Sequence, residues 1–290
     1  MPKLLCCGYG YTAREMAQAL HQLGWLIAAT ARSPDKVREL RQQGVEAHAF
    51  QEGDLFPDEA LADATHLLLS APPGLHGDPF LNALMQADAP STQNLRWIGY
   101  LSTTGVYGDH HGGWVTETSQ LRPVSERARR RVMAERGWAA WGLAVGVPVQ
   151  IFRLAGIYGP GRSALDSVRD GTARRIVKPG QVFSRIHVSD IANVLLRAIA
   201  SPPTPGVFNV CDDEPAAPDE VTAFAAQLLG EAAPKIEPFE SAQATMSEMA
   251  RSFYADNKRV SNEKIKTELG VRLKYPSYRE GLRAILDLIC

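Results

Sequence analysis

The chain has 290 residues, room for one large domain or two modest ones at ~150 residues per domain. Lys plus Arg number 31 against 32 for Asp plus Glu, a formal net charge of −1, which argues against a nucleic-acid binder working by bulk electrostatics. The four cysteines (Cys6, Cys7, Cys211, Cys290) are too few for a disulfide scaffold, and none has a partner at the C-x-x-C spacing of a structural zinc site.

The first half of the sequence alternates short apolar runs with amphipathic stretches. Lys3–Cys7 reads as a strand. Ala13, Met16, Leu20 and Leu23 then recur at spacings of three and four, which predicts a helix over 12–23 that Gly24 stops. Trp25–Thr30 reads as a second strand. Ser33-Pro34-Asp35 follows with the order of a helix start: a capping hydroxyl, proline at the first position, an acid in the first turn. Val45–Phe50, Leu67–Ser70 and Trp97–Ser102 are further strands, separated by helices near 57–63 and 79–87. A helix over 125–144 leads to a sixth strand at Val147–Arg153, and Asp190–Ile199 is a strongly amphipathic helix. Such alternation predicts an α/β fold, a doubly wound parallel sheet covered on both faces. Beyond Gly156, Pro and Gly cluster at Gly159-Pro160-Gly161, Pro179-Gly180 and Pro202–Pro205, and a basic, polar stretch (Met246–Lys274) precedes a last helix at Tyr278–Leu288. The expected division is a Rossmann-type domain over 1–155, with 180–212 returning to its sheet, and a smaller substrate-binding portion over 156–290.

Apolar runs such as Trp25–Ala29 fall far short of the ~20 residues that span a bilayer. The N-terminus runs straight into a glycine motif with no room for a signal peptide, so the expected location is the cytoplasm, with no membrane partner.

That motif, Gly8-Tyr9-Gly10-Tyr11-Thr12-Ala13, fits the G-x-G-x-x-G/A dinucleotide fingerprint between a strand and a helix. Gly8 allows the tight turn and Gly10 the approach of a pyrophosphate, while small Ala13 lets helix and strand pack closely. The helix start at Tyr11 and Thr12 supplies free N–H groups for the anion. An NAD site calls for an acid about 20 residues later, on the ribose hydroxyls. Here the second strand ends in Thr30-Ala31-Arg32-Ser33, with no acid before Asp35. Arg32 is placed for a 2′-phosphate, with Ser33 as an added donor, so the sequence favours NADP over NAD.

Five stretches together resemble the extended and atypical short-chain dehydrogenase/reductases, the NAD(P)-dependent epimerase/dehydratase family. They are Gly8–Ala13, Leu101–Gly108, Phe152–Gly161, Arg185–Asp190 and Phe208–Asp212, in the family's order over nearly the whole chain. The resemblance implies a Rossmann domain, a small C-terminal substrate domain and an active site in the cleft between them. It implies hydride chemistry by a Ser or Thr with a Tyr-x-x-x-Lys pair. The hydroxyl residue corresponds to Thr103, the Tyr to Arg127 and the Lys to Arg131, so the chain departs from the pattern at the proton-transferring residue.

Arg stays protonated and cannot act as the family Tyr does. Arg131 could bind nicotinamide ribose or supply charge, and Arg127 could clamp an anionic or carbonyl substrate. The bland alternative for Arg127–Arg131 is a solvated helix face with Arg131 paired to Glu135 at i, i+4. Tyr107, His110, His111, Tyr158 and His187 are substitutes for the missing acid/base, although packing or loop roles suit each of them better. Asp109 with His110 and His111 matches no usual metal-ligand spacing.

The resemblance also places Ser70 and Ala71 beside the adenosine and ribose, and Leu154 and Ala155 beside the nicotinamide. Tyr107, Arg185 and His187 fall on the substrate side. Arg162, Arg174, Arg175 and Lys178 add charge that suits a phosphorylated or nucleotide-linked substrate, or solvent. The family often forms homodimers. The resulting expectation is an NADP-dependent oxidoreductase or epimerase-like enzyme acting on a polar small molecule. Its rival is a non-catalytic NAD(P)-binding redox or metabolite sensor, which the missing Tyr favours. The intact Gly156–Gly161 and Arg185–Asp190 segments tip the balance toward the enzyme.

Overall fold

The computed structural model describes residues 1–87, 92–202 and 204–289; Pro203, within the Pro202–Pro205 cluster, and Cys290 lie outside them. The opening elements follow the expected alternation: β1 (Lys3–Cys7), α1 (Tyr11–Gln22), β2 (Leu26–Ala31), α2 (Pro34–Gln42), β3 (Glu46–Ala49), α3 (Asp58–Ala62), β4 (His66–Leu69), α4 (Pro79–Gln86) and β5 (Trp97–Thr103). A short β6 (Trp114–Val115) precedes α5 (Glu126–Val145) and β7 (Val149–Leu154). Then come β8 (Gly156–Tyr158), α6 (Ala164–Arg169), β9 (Arg175–Val177), β10 (Arg185–His187), α7 (Val188–Ala200), β11 (Gly206–Val210) and α8 (Pro218–Leu228). The chain closes with β12 (Ile236–Pro238), α9 (Phe239–Ala242), α10 (Glu248–Ala255), β13 (Arg259–Val260), α11 (Glu263–Glu268) and α12 (Tyr278–Ile289).

Seven strands form the main sheet in the order β11-β7-β5-β4-β1-β2-β3. The ladders of β1 with β2 and β4, of β2 with β3, and of β4 with β5 are parallel. Parallel strands need helical crossovers, which bury both faces. Every residue of β1 and of β7 is accordingly buried. Ser33 caps α2 as its sequence predicts, accepting a hydrogen bond from the Lys36 amide at 3.2 Å. Where α5 crosses β7, a Cβ on Gly142 would lie 2.3 Å from Val149 Cγ2, so the hydrogen side chain permits that close approach.

The chain divides into two compact units. The first comprises Met1–Thr103, Glu126–Arg153 and Ile191–Phe208; the second comprises Thr104–Ser125, Leu154–Asp190 and Asn209–Cys290. This differs from a split at 155/156. Residues 104–125 join the second unit because β6 pairs with β13, and because the His110 and Gly112 amides donate to the Asn257 carbonyl at 3.0 and 2.9 Å. Within 180–212 only part returns to the first unit. Strand β10 pairs instead with β8, in a separate two-stranded sheet. The stretch read as merely basic and polar, 246–274, holds α10, β13 and α11. Among the described residues no helix is long and apolar enough to cross a membrane.

Candidate functional site

In the first unit the glycine turn is held from two sides and open at one point. Gly8 has φ +88°, in the left-handed region that glycine enters without steric cost. Its amide donates to Thr30 Oγ1 at 2.9 Å. A Cβ at Gly8 would lie 3.1 Å from the Ala71 nitrogen, and Ser70 and Ala71 each donate their amides to the Cys7 carbonyl at 3.0 Å. Gly10 is the N-cap of α1, with no side-chain cap bond; a Cβ there would meet no atom within 4 Å. The first turn of α1, which carries Tyr11, Thr12 and Ala13, has no acidic side chain. An open backbone before a twelve-residue helix suits an incoming phosphate.

At the end of β2, Arg32 is exposed, and its guanidinium has no hydrogen-bond or ionic partner among the described residues. Its carbonyl accepts from Gln51 Nε2 at 3.1 Å, which anchors the backbone beneath it. Ser33 Oγ already accepts the α2 capping bond, so what it has left to offer is its hydroxyl proton. Asp35, the first acid after β2, is paired with Arg38.

Further along this unit, the positions of the family's proton-transfer residues differ sharply from one another. Arg127 is exposed and its side chain is without a partner among the described residues. Arg131 is 9% exposed; its Nη1 donates to the Leu101 carbonyl at 2.7 Å and to the Tyr100 hydroxyl at 3.1 Å. Burial pushes the Tyr100 hydroxyl well above its usual range, although the neighbouring Arg131 charge opposes the shift. The expected Arg131–Glu135 pair does not form. Glu135 instead takes Arg153, with Nη2 at 2.7 Å and Nε at 3.2 Å, and accepts a short bond from Ser102 Oγ. Arg131 turns its donors to Leu101 and Tyr100, and Glu135 pairs with the β7 guanidinium instead, both members of that pair being about 5% exposed. The stretch is therefore a solvated face only in part. Thr103 ends β5 one residue beyond Ser102 and is half-buried. Chemically, Arg127 and Arg131 offer positive charge and N–H donors, and Glu135 has its oxygens engaged; none of the three is poised to accept a proton.

In the second unit, Tyr107 is fully buried and its hydroxyl donates to Asn209 Oδ1 at 2.6 Å. Its polar end is thereby satisfied inside the protein. Asn209 in turn donates its amide to Glu117 Oε1 at 2.8 Å. Leu154 and Ala155 are each 6% exposed, with the Ala155 amide bound to the Val210 carbonyl at 3.0 Å. His187 is 3% exposed, its Nδ1 facing the Ser189 amide at 3.2 Å and its ring packed against Tyr275 and Tyr158. Burial pulls its pKa down to about 4, so the ring is neutral near pH 7 and is no acid there. Arg185 donates from Nη1 to the Phe183 and Ala216 carbonyls at 2.8 and 2.9 Å, a bracing role. Of the added cations, Arg174 pairs with Glu237 at 2.7 Å and Lys178 Nζ is bound to the Tyr254 carbonyl, which removes them as free charge for a substrate.

Asp212 was not singled out by sequence, although it closes the Phe208–Asp212 stretch. It is 1% exposed, its Oδ1 accepts from the Glu214 amide at 3.3 Å, and its Oδ2 has no hydrogen-bond partner among the described residues. Burial pushes its pKa up to about 8 against the pull of nearby Arg185, so it holds its proton at neutral pH. Asp190 is structural: its two oxygens accept the Lys274 and Tyr275 amides at 2.6 and 3.0 Å. This unit also carries an open groove of about 390 Å³ lined by Tyr158, Arg162, Ser163, Asp166 and Thr172. No group of three or more His, Cys, Asp or Glu able to hold a metal occurs among the described residues. Asp109 instead accepts the His111 and Asn257 amides.

The parallel sheet and its open glycine turn define a Rossmann-type fold. The family model for the NAD dependent epimerase/dehydratase family matches residues 83–211. Over that stretch, 129 of the 290 residues, the chain resembles the family. A conserved protein of unknown function from Silicibacter pomeroyi is 49% identical, with 100% of this chain and 99% of that one covered and a TM-score of 0.89. Protein YeeZ of Escherichia coli K12 is 26% identical over 297 residues, 95% of this chain and 97% of its own. The Thermus thermophilus UDP-glucose 4-epimerase, solved as a complex with NAD, shares the fold at a TM-score of 0.75 and 22% identity, covering 99% and 98% of the two chains.

Proposed function

We propose that the protein is an NADP-dependent oxidoreductase of this family that acts on a small polar molecule. The observation that carries the reading is Arg32: an exposed, unpartnered guanidinium directly after β2, in place of the ribose-binding acid of an NAD site. The residues present fit the cofactor. Gly10, Tyr11, Thr12 and Ala13 offer backbone to a pyrophosphate, and Arg32 and Ser33 offer donors to a 2′-phosphate. Ser70 and Ala71 back the turn, and Leu154 and Ala155 are the family's nicotinamide-side positions. The bound nicotinamide supplies hydride transfer.

For the chain's own residues, Thr103 offers a hydroxyl to the substrate and Arg127 an unspent positive charge for an anionic or carbonyl oxygen. Arg131 steadies the end of β5 through the Leu101 carbonyl. The name of the Thermus thermophilus relative, a UDP-glucose epimerase, supports a nucleotide-linked substrate. A second reading, a sensor that binds NADP without turnover, is favoured by one observation. The residue at the Lys position, Arg131, has donors committed to the protein's own backbone and to Tyr100.

The deciding experiment is a calorimetric titration with NADPH and with NADH, on the wild type and on Arg32→Ala. NADPH should bind at least about ten times more tightly, a gap of ~1.4 kcal/mol, and Arg32→Ala should erase the gap. Equal affinities in the wild type would remove the NADP assignment. Binding of neither cofactor at millimolar concentration would end both readings. A screen of carbonyl substrates by NADPH oxidation separates enzyme from sensor.

A further inference from the structure

Thr30 is nearly the last residue of β2, 1% exposed, and opens the Thr30–Ser33 stretch without a role of its own in the cofactor reading. Its Oγ1 accepts the Gly8 amide at 2.9 Å, joining the second strand to the turn that ends the first. On the other side, Ala71 abuts the position that a Gly8 Cβ would fill. Gly8 is thereby fixed at φ +88°, and its N–H is consumed inside the protein. The open part of the turn then begins at Gly10, where nothing lies within 4 Å of a Cβ position.

We infer that Thr30 is a positioning residue for dinucleotide binding, its hydroxyl holding Gly8 so that the backbone from Gly10 onward faces the ligand; this rests on the cofactor reading above. The Gly8 N–H, half-buried just past the end of β1, would without this acceptor seek another, and the turn would leave the pose that Gly10 needs. The hydroxyl, not the bulk of the side chain, carries the role. Thr30→Val keeps the shape and removes the acceptor; Thr30→Ser keeps the acceptor and loses a methyl group.

Cys7-Gly8 is the one Cys-Gly dipeptide in the sequence. Protein labelled with carbonyl-13C cysteine and 15N glycine therefore gives a single NMR correlation that reports the Gly8 amide. That amide should resist hydrogen exchange in the wild type and in Thr30→Ser and lose protection by about a hundredfold or more in Thr30→Val, as local opening becomes cheaper. NADPH affinity should fall at least about tenfold in Thr30→Val and stay within about threefold in Thr30→Ser, with both variants showing wild-type circular dichroism. Unchanged Gly8 protection in Thr30→Val, or unchanged NADPH affinity in that variant, overturns the inference. If the wild type binds neither NADPH nor NADH, the cofactor reading and the ligand half of the inference fall together, while the exchange data still decide whether Thr30 holds the turn.

Discussion

Both units commit most of their cations to carboxylates and carbonyls, and the contrast lies at the positions singled out for a ligand. In the first, Arg32 and Arg127 are exposed and without side-chain partners among the described residues. In the second, Arg174 is bound to Glu237, Lys178 to the Tyr254 carbonyl, Arg185 to two carbonyls, Lys258 to the Gly108 carbonyl and Asp256, and Arg279 to Glu214. Proximity to a family motif thus says little about whether a charge is available to a ligand. A guanidinium already braced against carbonyls works as a staple, and releasing it for an anion would leave those carbonyls bare.

This contrast can be tested hardest where charge is buried. Glu135→Ala strips the partner from Arg153 in a site where both are about 5% exposed. A loss of ~3–5 kcal/mol in urea unfolding is expected, because an uncompensated buried charge remains. A loss below ~1 kcal/mol would mean that Arg153 finds water and that the pair is not a staple.

Asp212 gives the next effect, read as a slope against pH. Its folded pKa, about 8, lies above the ordinary carboxylate value of 3.8, so the folded chain keeps a proton that the unfolded chain releases. The group's stabilising contribution is complete below the unfolded value and is lost as pH rises toward the folded one. Asp212→Asn should therefore flatten the decline of stability between those limits and gain on the wild type above pH 8. Parallel stability curves for the two proteins would show that the carboxyl is ionised in the fold.

Tyr107→Phe removes the hydroxyl that meets Asn209 and should cost about 1–2 kcal/mol in the same unfolding assay, with NADPH affinity unchanged. A large loss of affinity would return Tyr107 to the ligand. The smallest effect on stability belongs to Arg127→Ala, within about 0.5 kcal/mol because the side chain is solvated and unpaired. A larger cost would show that its charge is already committed.

The difference between the units also explains what the sequence reveals. The first is built from local patterns: the spacing of Ala13, Met16 and Leu20 marks α1, and Ser33-Pro34 marks the start of α2 within a residue of where it lies. The second is stitched by side chains to distant backbone. Asn257 alone donates to the Gly180 carbonyl from its side chain, accepts the Val182 amide and gives its own amide to Asp109. Strands of two or three residues such as β6 and β13 have no periodicity to read. In the candidate site, the conformation of the glycine turn and the exposure of Arg32 were legible because each is set within one strand–helix turn. The fate of Arg131 was not, since its partners Leu101 and Tyr100, like the Arg153 that pairs with Glu135, lie far along the chain.

The anchoring of Glu135 to both Ser102 and Arg153 gives α5 a fixed gauge mark. Measured from it at about 1.5 Å per residue, Arg131 and Arg127 stand roughly 6 and 12 Å along the helix axis, each about 40° further round it. Substituting either arginine changes what is carried at its graduation and leaves the scale intact. Inserting one residue between Arg131 and Glu135 would instead swing both charges by about 100° while the mark stays put. The length of this short run of helix, more than the identity of the residues it carries, sets where both arginines stand relative to the buried pair.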